Sequence, residues 1–284
     1  MVTIVGNRLN SANKKVLDRM NKMDMEFIKR ETVSQIEQGA EFIEINAASL
    51  LHNEMHFLKT ALPLVENCGA KVMLISENTD CLLEALKIAK KEIIIGPVEY
   101  NPSKIDCLID AMKAKNTKII AQIREKDNCD GYFPEKSLYI AQQYIAYLFD
   151  HGIRGQDILL DPLVRPLEED FCSGKIFLNT IELFKLDFPL VKTMANISQF
   201  SEGLPKRHLI TSYFICLALS KGLDYIVTNV LDQSISESVI ATFSIIGKDK
   251  NLQSYLRYCK NHKDKDKKTK GSCDERPEYK RNSH

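Results

Sequence analysis

The sequence predicts a (β/α)₈ barrel of the α/β class. Three observations lead there. Short, uninterruptedly apolar segments of strand length alternate with longer amphipathic segments of helix length, the alternation repeats eight times, and the eight repeats fill about 250 residues. Strands that are apolar throughout suit a parallel sheet buried on both faces, with helices as crossovers. Eight units of this span fit a closed barrel, whereas a doubly wound sheet usually uses about five or six strands.

Taken in order, TIV (3–5) precedes a helix near 26–38, and FIEINA (42–47) precedes one near 53–66. KVMLI (71–75) leads to TDCLLEALKIAKK, EIIIG (92–96) to SKIDCLIDAMKA, and TKIIAQI (117–123) to EKSLYIAQQYIAYLFDHG. DILL (157–160) is followed by GKIFLNTIELFKL, LVKTMA (190–195) by KRHLITSYFICLALSKG, and DYIVT (224–228) by SISESVIATFSIIG. The stretch after the first strand, VGNRLNS, holds one glycine where a dinucleotide-binding turn needs three, which argues against a Rossmann domain.

The barrel is expected over residues 1–250 and a charged, disordered tail over 251–284. Residues 260–284 carry nine Lys or Arg against five Asp or Glu, so the formal charge of +1 leaves the rest of the chain mildly acidic. Such a tail buries too little apolar surface to offset its ordering entropy. An acidic body offers no basic face for phosphate backbones, so no nucleic-acid partner is expected. Apolar runs far shorter than about 20 residues predict no membrane span. Eight scattered cysteines without a C-x-x-C pair, and no signal-peptide pattern in MVTIVGNRLN, point to the cytoplasm. The six histidines and eight cysteines show no metal-ligand spacing, so no metal site is expected.

Active sites of such barrels lie at the C-terminal ends of the strands. The polar residues there are Asn7 and Asn10 after the first strand, Asn46 in the second, and Ser76 and Asn78 after the third. Gly96 follows the fourth; Asp161, Ser198, Gln199 and Asn229 complete the set. Amides, hydroxyls and one clear carboxylate suit a neutral, planar, hydrogen-bonding ligand. Asp161 could accept two parallel N–H bonds from an amino-pyrimidinone edge, or it could cap the turn before Pro162. Asp150 and His151 are adjacent, so LFDHGIRG lacks the Asp-x-His-x-x-Gly spacing of a cobalamin ligand and this chain is not expected to hold its own corrin.

Five segments in order, IVGNRLN, GAEFIEINAAS, DILLDPLVRP, KTMANISQFSEGLPKR and GLDYIVTNVLD, resemble the pterin-binding methyltransferase family. That family includes methyltetrahydrofolate:corrinoid protein methyltransferases, the folate-binding domain of cobalamin-dependent methionine synthase and, more remotely, dihydropteroate synthase. The likeness spans residues 2–245. It implies a homodimeric (β/α)₈ barrel that binds a tetrahydrofolate or related pterin as substrate and exchanges its methyl group with a corrinoid held by another protein. Asp161 matches the Asp of the family's D-P-L motif, which grips the pterin's amino-pyrimidinone edge. Asn46 matches the Asn of D-x-N, and Arg8 and Asn10 match G-E-R-I-N with Asn7 in place of its Glu. The family's Asp after strand three falls at Ile75, or at Ser76 if shifted by one, and its Asn after strand four at Gly96. Aligned without a gap, the S-N-V-S motif falls on Ser198-Gln199-Phe200-Ser201. The resemblance thus implies Gln199 and Ser198 as catalytic residues, and Asp161, Asn46, Asn10, Ser76, Gly96 and Arg207 as substrate contacts. Arg207 could equally be a surface residue at a helix start. The losses at Ile75 and Gly96 leave open a catalytically inactive paralogue that serves corrinoid proteins as a binding partner.

Overall fold

Beginning with Thr3, eight parallel strands follow one another around a closed barrel, each paired with the next and the last with the first. They are β1 (Thr3–Asn10), β2 (Phe42–Asn46), β3 (Lys71–Ile75), β4 (Ile93–Glu99), β5 (Thr117–Gln122), β6 (Ile158–Asp161), β7 (Lys192–Asn196) and β8 (Tyr225–Thr228). The helices are α1 (Lys14–Asn21), α2 (Met25–Glu37), α3 (Glu54–Asn67), α4 (Thr79–Ile88) and α5 (Pro102–Lys113), then α6 (Pro134–Asp150) and α7 (Ser173–Asp187). A short α8 (Ile197–Phe200), then α9 (Arg207–Ser220), α10 (Gln233–Ile245) and α11 (Gln253–Asn261) complete them. This computed structural model describes residues 2–124 and 133–261.

The (β/α)₈ architecture is therefore the one read from the sequence, with two local differences. β1 and β4 run on to Asn10 and Glu99, past the apolar runs that announced them, and a helix, α1, precedes the expected one near 26–38. Both strands shift register on the way, between Gly6 and Leu9 and between Ile95 and Val98.

The chain divides into two compact units, Met1–Val239 and Ile240–His284. The first unit holds all eight strands. In the second, residues 253–261 of the expected tail are helical, with the Asp249 carboxylate accepting the N–H groups of Ser254 and Tyr255 at 3.0 Å each. The rest of that tail, 262–284, lies outside the described residues.

Helix starts follow local side-chain chemistry. Asp24, Asn78 and Asn101 each accept first-turn N–H groups, of Phe27, of Asp80 and Cys81, and of Lys104. Asn78, a strand-end site candidate in the sequence, is thus the cap of α4.

Apolar packing covers both faces of the sheet. Outward-facing strand residues such as Ile43, Ile45, Val72 and Leu74 pack on the helices. Inside the barrel, Val5, Phe42, Met73, Ile94, Ile120, Leu159, Met194, Tyr225 and Val227 form a separate apolar layer. Below it, at the N-terminal ends, Lys71 is bonded to Glu41 and Glu92 at 2.8 Å each, and Lys118 to Glu92 at 2.8 Å. Above it, the two-residue period of a strand leads from Phe42, Met73, Ile120, Leu159 and Met194 to Glu44, Ile75, Gln122, Asp161 and Asn196. The interior turns polar at the end where barrels do chemistry.

Candidate active site

A cavity of about 210 Å³ opens at these C-terminal strand ends. Met73, Ile120, Met194 and Val227 of the apolar layer line it from below, and polar groups from β1, β2, β5, β6 and β7 from the sides.

Asp161 closes β6 and answers both readings of its position. One carboxylate oxygen accepts the Leu163 N–H at 3.0 Å, making the turn across Pro162. That turn holds Leu163 at φ 59°, a left-handed conformation that costs a residue with a Cβ about 1–2 kcal/mol. The same carboxyl is 8% exposed and lines the cavity. Burial pushes its pKa up to about 6, while the Leu163 N–H, the Gln122 side chain and the positive charge of Arg124 pull it down. At neutral pH it is mostly a carboxylate, bonded by the amide that sits level with it on β5.

Glu44 lies two residues below Asn46 on β2 and is 3% exposed. Asn10 donates to its Oε1 at 3.2 Å. Burial pushes its pKa up to about 8, only partly opposed by that bond. At pH 7 it is mostly protonated and is a hydrogen-bond donor, so the cavity holds one charged and one neutral carboxyl.

Asn10, Asn46, Ile75 and Gly96 are level across β1 to β4. Asn10 and Asn46 line the cavity, and each also accepts a backbone N–H two residues on, of Ala12 at 2.9 Å and Ala48 at 3.3 Å. Ile75 presents carbon. Gly96 cannot carry a side chain: its φ is +143°, and a Cβ would come within 2.8 Å of the Ile120 Cβ. The wall there is the ring of Pro97.

The expected catalytic pair is divided between two cavities. Gln199, on α8, lines the central one. Ser198 faces a second cavity of about 300 Å³, where its hydroxyl accepts from Asn7 Nδ2 at 3.3 Å. Arg207 is also there; its guanidinium donates to the Ser198 carbonyl at 2.6 Å and the Ser201 hydroxyl at 3.3 Å, pinning the turn between α8 and α9. Ser76 sits in a third cavity, of about 230 Å³, with its hydroxyl accepting the Asn78 N–H at 3.1 Å in the turn into α4. Central-cavity residues that sequence reasoning did not select are Asn196, Gln122 and Arg124.

Asn196 joins Gln199 on the β7 side of the central cavity. The ungapped match ended on α8, one turn beyond the strand, whereas the strand-end amide is Asn196, three residues before Gln199. Ala195-Asn196-Ile197-Ser198 also fits S-N-V-S at its Asn and its final Ser. The Asn196 Oδ1 is buried and meets no hydrogen-bond partner among the described residues. The alternation Lys192, Met194, Asn196 was the signal that could have found it.

A (β/α)₈ barrel whose strand ends surround a small, mixed-polarity cavity with one ionised carboxyl has the architecture in which barrel proteins place their small-molecule sites. The chain belongs to the pterin binding enzyme family, whose sequence profile matches residues 6–229. It is 23% identical, over 257 residues, to the methylcorrinoid:tetrahydrofolate methyltransferase of Eubacterium limosum, covering 89% of this chain and 94% of that one. Among solved structures, the fold is shared with dihydropteroate synthase from Anaplasma phagocytophilum with bound 6-hydroxymethylpterin-monophosphate. The TM-score is 0.61 at 20% identity, over 84% of this chain and 99% of that one. It is shared also with Yersinia pestis DHPS bound to a pterine–sulfa conjugate, at TM-score 0.63 and 13% identity over 87% and 94% of the two chains. No helix of the described residues is long and apolar enough to cross a membrane.

Proposed function

We propose that this chain moves a methyl group between N5 of a tetrahydrofolate-type pterin and a corrinoid carried by a separate protein in the cytoplasm. The observation that carries the reading is Asp161: a buried, ionised carboxyl at the mouth of the cavity, fixed by its own turn and by Gln122, with the geometry to accept two N–H groups from an amino-pyrimidinone. The name of the Eubacterium limosum relative supports the reaction class.

The chemistry sets a requirement at N5. A tertiary amine leaves poorly, so N5 must carry a proton, or a strong hydrogen bond, as a methyl departs; in the opposite direction the newly methylated nitrogen must lose one. Asn196 and Gln199 are the side-chain amides nearest the β7 side of the cavity and orient toward N5 in this reading. Glu44, with a pKa about one unit from neutrality, holds a proton that the site can lend in one direction and take back in the other. The corrinoid supplies the methyl group or accepts it, and none of the residues described here is assigned to hold it.

A second copy of the chain is the partner we assign to α9. Its inner residues Thr211, Phe214, Ile215, Ala218 and Leu219 are buried, yet its outer face is apolar too, with Leu209, Tyr213 and Leu217 exposed one turn apart.

The test is methyl transfer. The protein is incubated with tetrahydrofolate and methylated corrinoid proteins, with corrinoid absorbance and methyl-tetrahydrofolate both followed. Transfer that drops at least about tenfold in Asp161→Asn supports the reading. Pterin binding with no transfer to or from any corrinoid protein would favour the binding-only paralogue, which the carbon wall at Ile75 and Pro97 makes the second reading.

A further inference from the structure

The division of the cavity wall into polar and apolar sectors bears on which pterin fits. Going around the strand ends, β5, β6 and β7 present Gln122, Asp161 and Asn196, and β1 and β2 present Asn10 and Asn46, but the β3–β4 sector lines the central cavity with apolar side chains alone, Met73 below and Ile75 and Pro97 at the strand ends. Gly96 can add no side chain there, and Ser76 is turned to the neighbouring cavity. Arg124, above Gln122, is bound to Glu99 at 3.0 Å and has no acceptor to offer.

A tetrahydropterin has two unlike long edges. The carbonyl at C4 and the nitrogen N5 lie along one; N1 and N8 lie along the other, with C7 next to N8. With the amino-pyrimidinone end on Asp161 of β6 and N5 toward Asn196 of β7, the N1–N8 edge faces the opposite way, toward β5, β4 and β3. Gln122, which bonds Asp161 through its amide, meets the near part of that edge. The far part, N8 and C7, meets Ile75 and Pro97.

From this we infer that the preferred substrate is a reduced pterin bearing an alkyl group at C7, selected by Ile75 and Pro97; the inference rests on the pterin reading and orientation given above. An alkyl group there buries one more methyl against Ile75 and Pro97 than the C7 methylene does by itself. Ile75 is the specificity residue because it is level with Asn46 on one side and Gly96 on the other, and its side chain is the one the β3 strand end puts into the cavity.

Two available probes differ by this single methyl: 6-methyltetrahydropterin and 6,7-dimethyltetrahydropterin. Calorimetric titration of the full chain under reducing conditions should give about fourfold tighter binding of the dimethyl compound, the worth of one buried methyl group. Ile75→Asp, which puts an N–H acceptor against N8, should cancel or reverse the preference. If that variant does not fold, Ile75→Ser must bring the ratio toward one. Equal or weaker binding of the dimethyl compound to the wild type, or a ratio unmoved by either substitution, overturns the inference while leaving the pterin reading intact. Failure of both compounds to bind removes the pterin reading and the inference with it.

Discussion

Replacing Glu44 with glutamine should flatten the dependence of stability on pH. In the folded chain the Glu44 carboxyl sits between the apolar interior and the cavity, with the Asn10 amide as its hydrogen-bond donor, and burial raises its pKa from 4.5 to about 8. Between those two values the folded state holds a proton that the unfolded state has lost. Its contribution to stability is therefore fully present below pH 4.5, declines as pH rises and is gone above about 8. At about 1.4 kcal/mol per pKa unit, the decline approaches 5 kcal/mol in all, and about 4 kcal/mol of it falls between pH 5 and pH 8. Glutamine keeps an oxygen to accept from Asn10 and does not titrate. Urea unfolding of both proteins at pH 5, 6.5 and 8 reads the difference: the wild type should lose about 4 kcal/mol relative to Glu44→Gln over that range. Parallel profiles would refute the reasoning, since they would mean that Glu44 is ionised in the folded state and cannot lend N5 a proton.

Other perturbations follow from the same geometry. Gly96→Ala forces a Cβ against Ile120 at a backbone angle that suits glycine alone, so it should cost about 3 kcal/mol, seen as a lower midpoint of thermal unfolding. At the barrel floor, burial raises the Glu92 pKa but the ammonium groups of Lys118 and Lys71 more than offset it and hold the carboxyl below its ordinary range. Its stabilisation is thus present above pH 4.5 and lost as pH falls through its folded pKa, so Glu92→Gln should be about 3 kcal/mol less stable than wild type at pH 7 and converge with it in acid. Tyr213→Glu and Leu217→Glu should turn a dimer into a monomer in sedimentation runs without loss of helix content; a monomeric wild type would contradict the role given to α9.

The fold was legible because its signal is repetitive: eight apolar runs, each too short for a buried helix, need a parallel sheet to satisfy them. The strand ends were less legible for a reason tied to function. β1 continues through the polar Asn7 and Arg8 to the cavity-lining Asn10, and β4 through Gly96 to the cavity-lining Pro97; these polar residues and the Gly-Pro pair interrupt the apolar runs, so a search for such runs stops where the site begins. α1 was missed because KKVLDRMN buries only Val16 and Met20. Of the site, Asp161, Asn46 and Asn10 were readable from the resemblance and from their strand-end positions. Asn196 was passed over because the ungapped match fell on Gln199 and strand alternation was not followed through β7. Gln122 and Arg124 were hidden by a run, TKIIAQI, that ends in isoleucine; Gln122 faces inward and Ile123, the next residue, outward. Ser198, Arg207 and Ser76 are near the strand ends in sequence, but turn chemistry points them into neighbouring cavities.

The central claim is that Asp161 reads a reduced folate. Isothermal titration of the reduced protein with tetrahydrofolate and methyl-tetrahydrofolate, wild type against Asp161→Asn, tests it most directly. Charge-assisted hydrogen bonds of this kind are worth about 1.5–3 kcal/mol, so the expected result is micromolar binding that weakens at least about tenfold in the variant. Absence of binding to the wild type, or the same affinity in both proteins, would contradict it.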